Sequence, residues 1–596
     1  MKTLFHFLLI ITSNLIVAQG NLPDLIPYQE NGKWGYCDKN MKVLIPCQYD
    51  QAWPFYEDRA LVINYGTNTP GTEAAFIDPS GRTVFKLNNW STAFPSTRFQ
   101  YGVAIIENYN KGDNTEISSL SVVDKNGKIL QNYDSCNFES DMYFNPYCPP
   151  FNKFGFYVAP YGMNKQIWIY KDGREPKFTE YSFIFGFKFD NNTDFGFAFT
   201  YSGDTAVSYY VTVIDTNNQV LIPKGKLDFD PGFMPNHGSL SDIIPFKEKE
   251  KYGFCDLKGE IIIPAKFDFV QPFSEDLAVA GRLIFSDPYR GIFNYKLGYI
   301  NKKGEFVIPE KFDMAYDFSE GLAEVRLGDS ILFIDKSGNK KFSFFNKVPV
   351  VADAYGEYMI NPPNIYNHRF TNGKAIMMQN ELFGWIDKKG NFTVPPFFGG
   401  IPTMGPTIQI NHFENGLTKV TDYGAASSGE FYIDESGRPY YLPQMKVLSK
   451  ADKFNIYSGP SKMMLKEVME RTYIPTVKKM TGKKDKINGQ KGEWIELESY
   501  DSSSYVFSSD FNLNAFRISD LKGAKLYDSP DENSKNVKLL APNTIVFADE
   551  KEKLSKIGSN DWLKVIYVGY NAEAESAYKS YEGYVKGNQL VKILYK

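Results

Sequence analysis

Short apolar runs alternate with polar turns along most of the chain, the period-two pattern of strands rather than the longer period of amphipathic helices. Residues 251–279, KYGFCDLKGEIIIPAKFDFVQPFSEDLAV, show the pattern in full. An aromatic run meets a polar turn, a second apolar run stops at a proline, and an acid, an aromatic and a third apolar run follow. Residues 33–62, KWGYCDKNMKVLIPCQYDQAWPFYEDRALV, repeat it. The glycine-to-proline spacing is 11 in four places: 35 to 46, 253 to 264, 298 to 309 and 384 to 395. From that proline the next acid lies 4 residues on at Asp50, Asp268 and Asp313, and an aromatic 9 on at Phe55, Phe273 and Phe318. Three anchors held in register define an internal repeat.

The polar segment of each copy brackets two polar residues between an acid or amide and a glycine, as in GFCDLKG and GYINKKG, which is hairpin-turn chemistry. The proline ends the next strand because it has no N–H for a ladder. Searching with the turn finds weaker copies, FIDPSGR, VVDKNGK, VIDTNNQ, FIDKSGN and YIDESGR. The turn residues are then Asp38, Asp78, Asp124, Asp215, Asp256, Asn301, Asp335, Asp387 and Asp434. A tenth copy near Asp172 lacks the acid at the usual place, and most intervals are 40 to 47 residues. A second module, FYEDRA, FQYGVA, FSEDLA, FSEGLA, FTNGKA and FENGLT, recurs with the same period. Each unit is therefore expected to be a hairpin, a short linker and a third strand. The fold class that follows is all-β: about ten short antiparallel repeats in an open solenoid or a propeller-like ring. Three strands per unit favour the open form, since propeller blades carry four.

The KWG at 33–35, with IP, YD, F and A following in register, resembles the WG (KWG) β-repeat family, and the resemblance extends over residues 22–443. Only the first copy keeps the tryptophan; Tyr252, Leu297 and Phe383 replace it. The family implies a binding scaffold and brings no catalytic residues with it. After residue 443 a different pair begins, NIYSGPS with GEWIELES and KLYDSPD with NDWLKVIY, in which Tyr457 to Trp494 is 37 residues and Tyr527 to Trp562 is 35. Residues 513–596 resemble a bacterial SH3-like domain, and 446–511 a divergent one that carries MMLKEVMERTY where a short strand is expected.

The first 18 residues, one lysine and then an apolar run ending near Ala18, have the anatomy of a secretory signal peptide. No later run is long enough to span a bilayer, so we expect an exported chain, periplasmic or secreted, without a transmembrane segment. The formal charge of −4 comes from interspersed signs and argues against nucleic acid as a partner. KKMTGKKDK at 478–486 is the exception, and is read as a solvated hairpin loop rather than an anion-binding tip. Cys37 and Cys255 stand where Ile300 and Ile386 stand in other copies, hence core; Cys136 and Cys148 are either a loop-closing disulfide or two thiols.

His237, His368 and His412 are far apart, and no metal, cofactor or nucleophile motif stands in a fitting context. Acids that recur at a fixed phase do a structural job, whereas an active site is needed once. Ligand contact is expected instead from off-phase aromatics in insertions, Tyr289, Phe293, Tyr358 and Tyr366, and from Tyr527 and Trp562 in the last module. The expected function is a non-enzymatic binding protein or scaffold whose partner is a protein or a cell-envelope glycan. The alternative is a cell-envelope hydrolase, acting on peptidoglycan or glycan, with an unrecognised active site.

Overall fold

The computed structural model describes residues 22–593 except 66–72, 88–97, 111–112, 140–154, 161–165, 173, 186–194, 202–208, 230–241, 288–291, 329, 346–350, 353–357, 360–368, 380–381, 400–412, 423–428, 445, 463, 471–472, 474, 499–503, 520–522, 549–553 and 571–577. Among the described residues there is no α-helix, and helical turns are 3-10 segments such as Ser508–Asp510 and Gly587–Gln589. The chain divides into two compact units. One comprises Gln29–Tyr36 and Val43–Thr407; the other takes in Cys37–Lys42 and Ile408–Lys596, with the residues up to Tyr28.

The larger unit is built from small antiparallel meanders. One sheet runs β1 (Phe269–Val270), β2 (Ala278–Asp287), β3 (Ile292–Ile300), β4 (Phe306–Phe312), in that spatial order. The expectation of three strands per unit is thus corrected to four. The missed strand is two residues long, too short for any alternation, and lies directly after the acid that follows the proline. The same short first strand, Gln51–Ala52 or Met314–Ala315, opens two other four-stranded sheets. Four is the strand count of a propeller blade, so strand number no longer weighs against that arrangement.

The spacing of 11 now has a cause. Tyr252 pairs with Phe267 and Phe254 with Ile263, so Gly253 alone faces the three residues Pro264 to Lys266 across a bulge. A Cβ on Gly253 would lie 2.4 Å from the Ile263 carbonyl oxygen, and Gly35, Gly298 and Gly384 meet the same obstacle at the same distance. The bulge is where a proline can sit without costing a ladder bond. The aromatic after the glycine meets the one nine beyond the proline: Tyr36 on Phe55, Phe254 on Phe273 and Tyr299 on Phe318, with ring centroids 4.8–4.9 Å apart and planes at 58–59°. Two anchors of the sequence are one contact in the core. Cys37 and Cys255 are buried thiols, as expected. Cys148 lies outside the described residues, so the Cys136–Cys148 pairing does too.

The recurring acids are structural throughout. Asp256 Oδ1 accepts the amides of Lys258 and Glu260 at 2.8 and 2.9 Å, closing its turn, and Asp38, Asp124 and Asp387 do likewise. Near the tenth copy, Asp172 itself accepts the Arg174 amide at 3.2 Å, so an acid does serve there. The acid after the proline pairs with the lysine before the glycine: Lys33 with Asp50, Lys251 with Asp268 and Lys296 with Asp313, at 2.5–2.6 Å. Its second oxygen takes a backbone amide beside the strand that follows the second module, as Asp50 does from Tyr65, just past Ala60–Asn64, at 2.8 Å.

The second module is a tight turn with two left-handed residues, Glu275 at φ 48° and Asp276 at φ 73°. Its glutamate reaches the next copy of the same turn. Glu57 accepts from Tyr101 and Gly102, Glu275 from Gly321, and Glu320 from Gly373, at 2.7–3.0 Å. Ser274 and Ser319 Oγ donate to the carbonyls of Phe318 and Phe370. These turns are joints between repeats.

The smaller unit contains the same chain path twice. The first copy runs β5 (Leu448–Ser449), β6 (Lys453–Tyr457), β7 (Leu465–Glu470), β8 (Val477–Ile487), β9 (Gln490–Leu497), β10 (Ser504–Phe507) and β11 (Phe511–Asn512). The second runs β12 (Ala515–Ile518), β13 (Ala524–Tyr527), β14 (Asn536–Leu540), β15 (Ile545–Ala548), β16 (Trp562–Tyr570), β17 (Tyr578–Lys586) and β18 (Leu590–Lys592). Sheet order is β7-β6-β10-β9-β8 in one and β14-β13-β17-β16-β15-β12-β18 in the other. In both copies the first strand pairs with the last, and a 3-10 turn precedes that last strand. The MMLKEVMERTY segment that looked out of place supplies β7, a strand after all. KKMTGKKDK lies within β8 rather than in a loop, with a bulge between Met480 and Lys484.

Candidate functional site

The two copies differ where a ligand would meet them. In the first, Tyr457 and Trp494 meet edge to face, centroids 5.1 Å apart at 87°. In the second, Tyr527 and Trp562 do the same at 5.4 Å and 86°. The fold brings this pair together because β13 lies beside β17 and β17 beside β16, with Tyr527 facing Tyr584 and Trp562 facing Lys586. In the first copy the residue facing Trp494 is Phe507, whose ring lies 5.3 Å away and leaves the indole 0 % exposed. Lys586 cannot close the second pair in that way. Its ammonium stands 5.6 Å from the Trp562 centroid and is tied to Glu532, and Tyr527, Trp562 and Tyr584 remain half-buried. Two aromatic faces, a lysine and a carboxylate are the chemistry of stacking plus hydrogen bonding to a polar ligand.

Of the other expected site residues, Phe293 is 49 % exposed. It sits on a ribbon that β2 and β3, ten and nine residues long, push beyond the six-residue strands of the next copy, Leu322–Leu327 and Ser330–Asp335. Ile284 and Phe285 are exposed on the same ribbon. Tyr289 and Tyr366 lie outside the described residues; Tyr358 belongs to a two-residue strand, Tyr358–Met359, and its side chain is outside them. Tyr527 and Trp562 belong to the other compact unit.

A second cluster was missed. In the copy at 298–329, Asp317 replaces the prolines of other copies (Pro54, Pro272), Glu324 replaces Leu61 and Val279, and Arg326 replaces Ile63 and Gly281. Arg326 Nε donates to the buried Glu324 at 3.2 Å, and Arg369 lies 3.7 Å from Asp317. Burial pushes the Asp317 carboxyl up to about 6, with Arg369 pulling it down. Burial also raises the neighbouring Tyr316 phenol, and the nearby Glu324 carboxylate adds to this. The signal in the sequence was two acids at phases where the other copies have none: Asp317 against Pro54, Arg98, Pro272, Arg369 and His412, and Glu324 against Leu61, Ile105, Val279, Ile376 and Lys419. No group of three or more His, Cys, Asp or Glu suited to a metal ion occurs among the described residues. None of their helices is long and apolar enough to cross a membrane.

Residues 34–66, 252–280 and 298–329 match the model of the WG containing repeat, so these segments are WG-type repeats. No curated protein matches the chain. Among solved structures it is similar to a protein of unknown function from Bacteroides caccae, at 12 % identity over 48 % of this chain and 91 % of that one, with a TM-score of 0.17. It is also similar to PorZ, an essential bacterial surface component of the type-IX secretion system of Porphyromonas gingivalis, at 10 % identity over 95 % and 99 % of the two chains, TM-score 0.17. A third is the AfRom2 CNH domain, at 9 % identity over 64 % and 92 %, TM-score 0.22.

Proposed function

We propose that the chain is an exported, non-enzymatic binding protein. Its WG-type repeats form a scaffold, and its C-terminal modules are two SH3-like domains, of which the second holds a cell-envelope glycan or protein on Tyr527 and Trp562. The observation that carries this reading is the duplicated Tyr–Trp pair, closed by Phe507 in one copy and open beside Lys586 in the other. The repeated strand order and the 3-10 turn before each last strand support the SH3-like assignment. The recurring acids, engaged in turns and lysine pairs, support a scaffold role for the repeats.

One observation favours the hydrolase alternative: Asp317 and Glu324 occur once, break the repeat, and lie beside two arginines. The two readings separate when the purified chain is incubated with peptidoglycan and with envelope glycans. Retention without soluble fragments fits the binding protein. Fragment release that Asp317→Asn and Glu324→Gln abolish would establish the hydrolase instead.

A further inference from the structure

The first SH3-like copy, whose aromatic pair is closed, has a different exposed feature. Residues 476–492 hold six lysines against one acid, Asp485. Lys478 and Lys479 reach the buried Glu496 at 2.8 and 3.1 Å. Lys483 donates to the Pro460 carbonyl at 2.7 Å, which ties the bulge of β8 to the loop between β6 and β7. Lys484, Lys486 and Lys491 make no ion pair among the described residues, and Lys486 stands directly across from Lys491 at the hairpin tip. Lys484 faces Glu493 across the ladder, but like charges directly opposite destabilise one, so folding does not account for Lys486 facing Lys491.

Apolar side chains flank this charge. Met469 of β7 and Met480 of β8 pack on one core, Phe454, Ile456, Val477, Ile495, Leu497, Val506 and Phe511, and the Lys483 bond to Pro460 brings the β8 bulge to the loop that leads into β7. On β7 and beside it, Leu465 and Val468 are each 55 % exposed, and Met464 and Tyr473 are exposed as well. Met464 follows the loop that Lys483 holds. A dissolved anionic polymer would use the lysines and leave these apolar side chains in water. A lipid surface with anionic headgroups satisfies both, because apolar side chains enter the headgroup boundary while lysines hold the phosphates.

We infer that β7 and the β8–β9 hairpin form a peripheral docking surface for an anionic lipid bilayer, independent of the Tyr527–Trp562 site. The test uses the chain from residue 22 onward, which removes the apolar leader, and co-sedimentation with vesicles of phosphatidylglycerol and phosphatidylcholine or of phosphatidylcholine alone. Binding is expected to the anionic vesicles only, and to fall with added salt. Lys484→Gln, Lys486→Gln and Lys491→Gln combined should weaken it about a hundredfold, at about fivefold per lysine near the surface. Leu465→Ser with Val468→Ser should weaken it at constant charge; all five positions are exposed, so neither set of changes should lower the melting temperature, and removing the Lys486–Lys491 repulsion should raise it slightly. Equal binding to neutral vesicles would overturn the inference, as would vesicle binding untouched by the lysine changes. Capture of soluble polyphosphate without vesicle binding would overturn it in favour of an anionic polymer.

Discussion

Replacing Gly304 by valine probes two features of the repeat at once. Gly304 closes the polar turn at φ 76°, and a Cβ there would lie 2.8 Å from Cγ2 of Ile263 in the preceding copy. The left-handed backbone costs an L-residue roughly 1–2 kcal/mol, most for a β-branched one. Forcing the side chain against a packed isoleucine adds roughly 1–3 kcal/mol. The expected loss is therefore about 3 kcal/mol, and it should spread to neighbouring repeats because they share cores. Gly321 supplies the control: its φ is 83° but nothing lies within 4 Å of a built Cβ, so Gly321→Ala should cost only strain, about 1 kcal/mol. Differential scanning calorimetry reads both as shifts of the repeat transition, with the C-terminal transition unmoved. Equal shifts would remove the packing part of the argument; an unshifted transition in Gly304→Val would refute the turn and the register built on it.

Met41 fills the same turn slot at φ 63°, so Met41→Gly should stabilise the chain by about 0.5–1 kcal/mol in chemical denaturation, the relief of strain exceeding the added freedom of the unfolded chain. Gly253→Ala should destabilise by about 3 kcal/mol, because its Cβ meets a backbone carbonyl that cannot turn aside. Asp317 has a folded pKa near 6, raised above the unfolded value, so its contribution is full below about pH 4 and is lost as pH rises through 6. Asp317→Asn should therefore remove a fall in melting temperature between those limits and gain about 1 kcal/mol at neutral pH, a figure reduced for the 28 % exposure the side chain keeps. A wild-type melting temperature that does not fall relative to the variant over that window would refute the assignment.

Much of the repeat was readable because its anchors are short-range. The spacing of 11 from glycine to proline is the span of one hairpin across a bulge, and the aromatic nine beyond the proline folds back on the one beside the glycine. What escaped reading depends on register between distant segments. Glu57 serves a turn 44 residues away, and no local pattern marks it as a joint rather than a surface acid. The two-residue strands carry no alternation, which led to a count of three where there are four. The Asp317 cluster was visible as a break in phase, but Arg369 joins it from beyond the repeat. Tyr527 and Trp562 were legible as candidates; that their counterparts are closed was not, because it turns on Phe507 and Lys586 occupying one register position.

The central claim is that the repeats are architecture and that ligand contact falls on the open aromatic pair of the last module. Retention of the chain from residue 22 by insoluble peptidoglycan and by immobilised envelope glycans and proteins, compared between the wild type and Trp562→Ala, tests it most directly. The wild type should be retained on one of these supports, and the variant should lose retention about tenfold or more while melting as before. Retention unchanged in Trp562→Ala but lost on deleting the Ile284 to Phe293 ribbon would contradict it and move the binding site into the repeats.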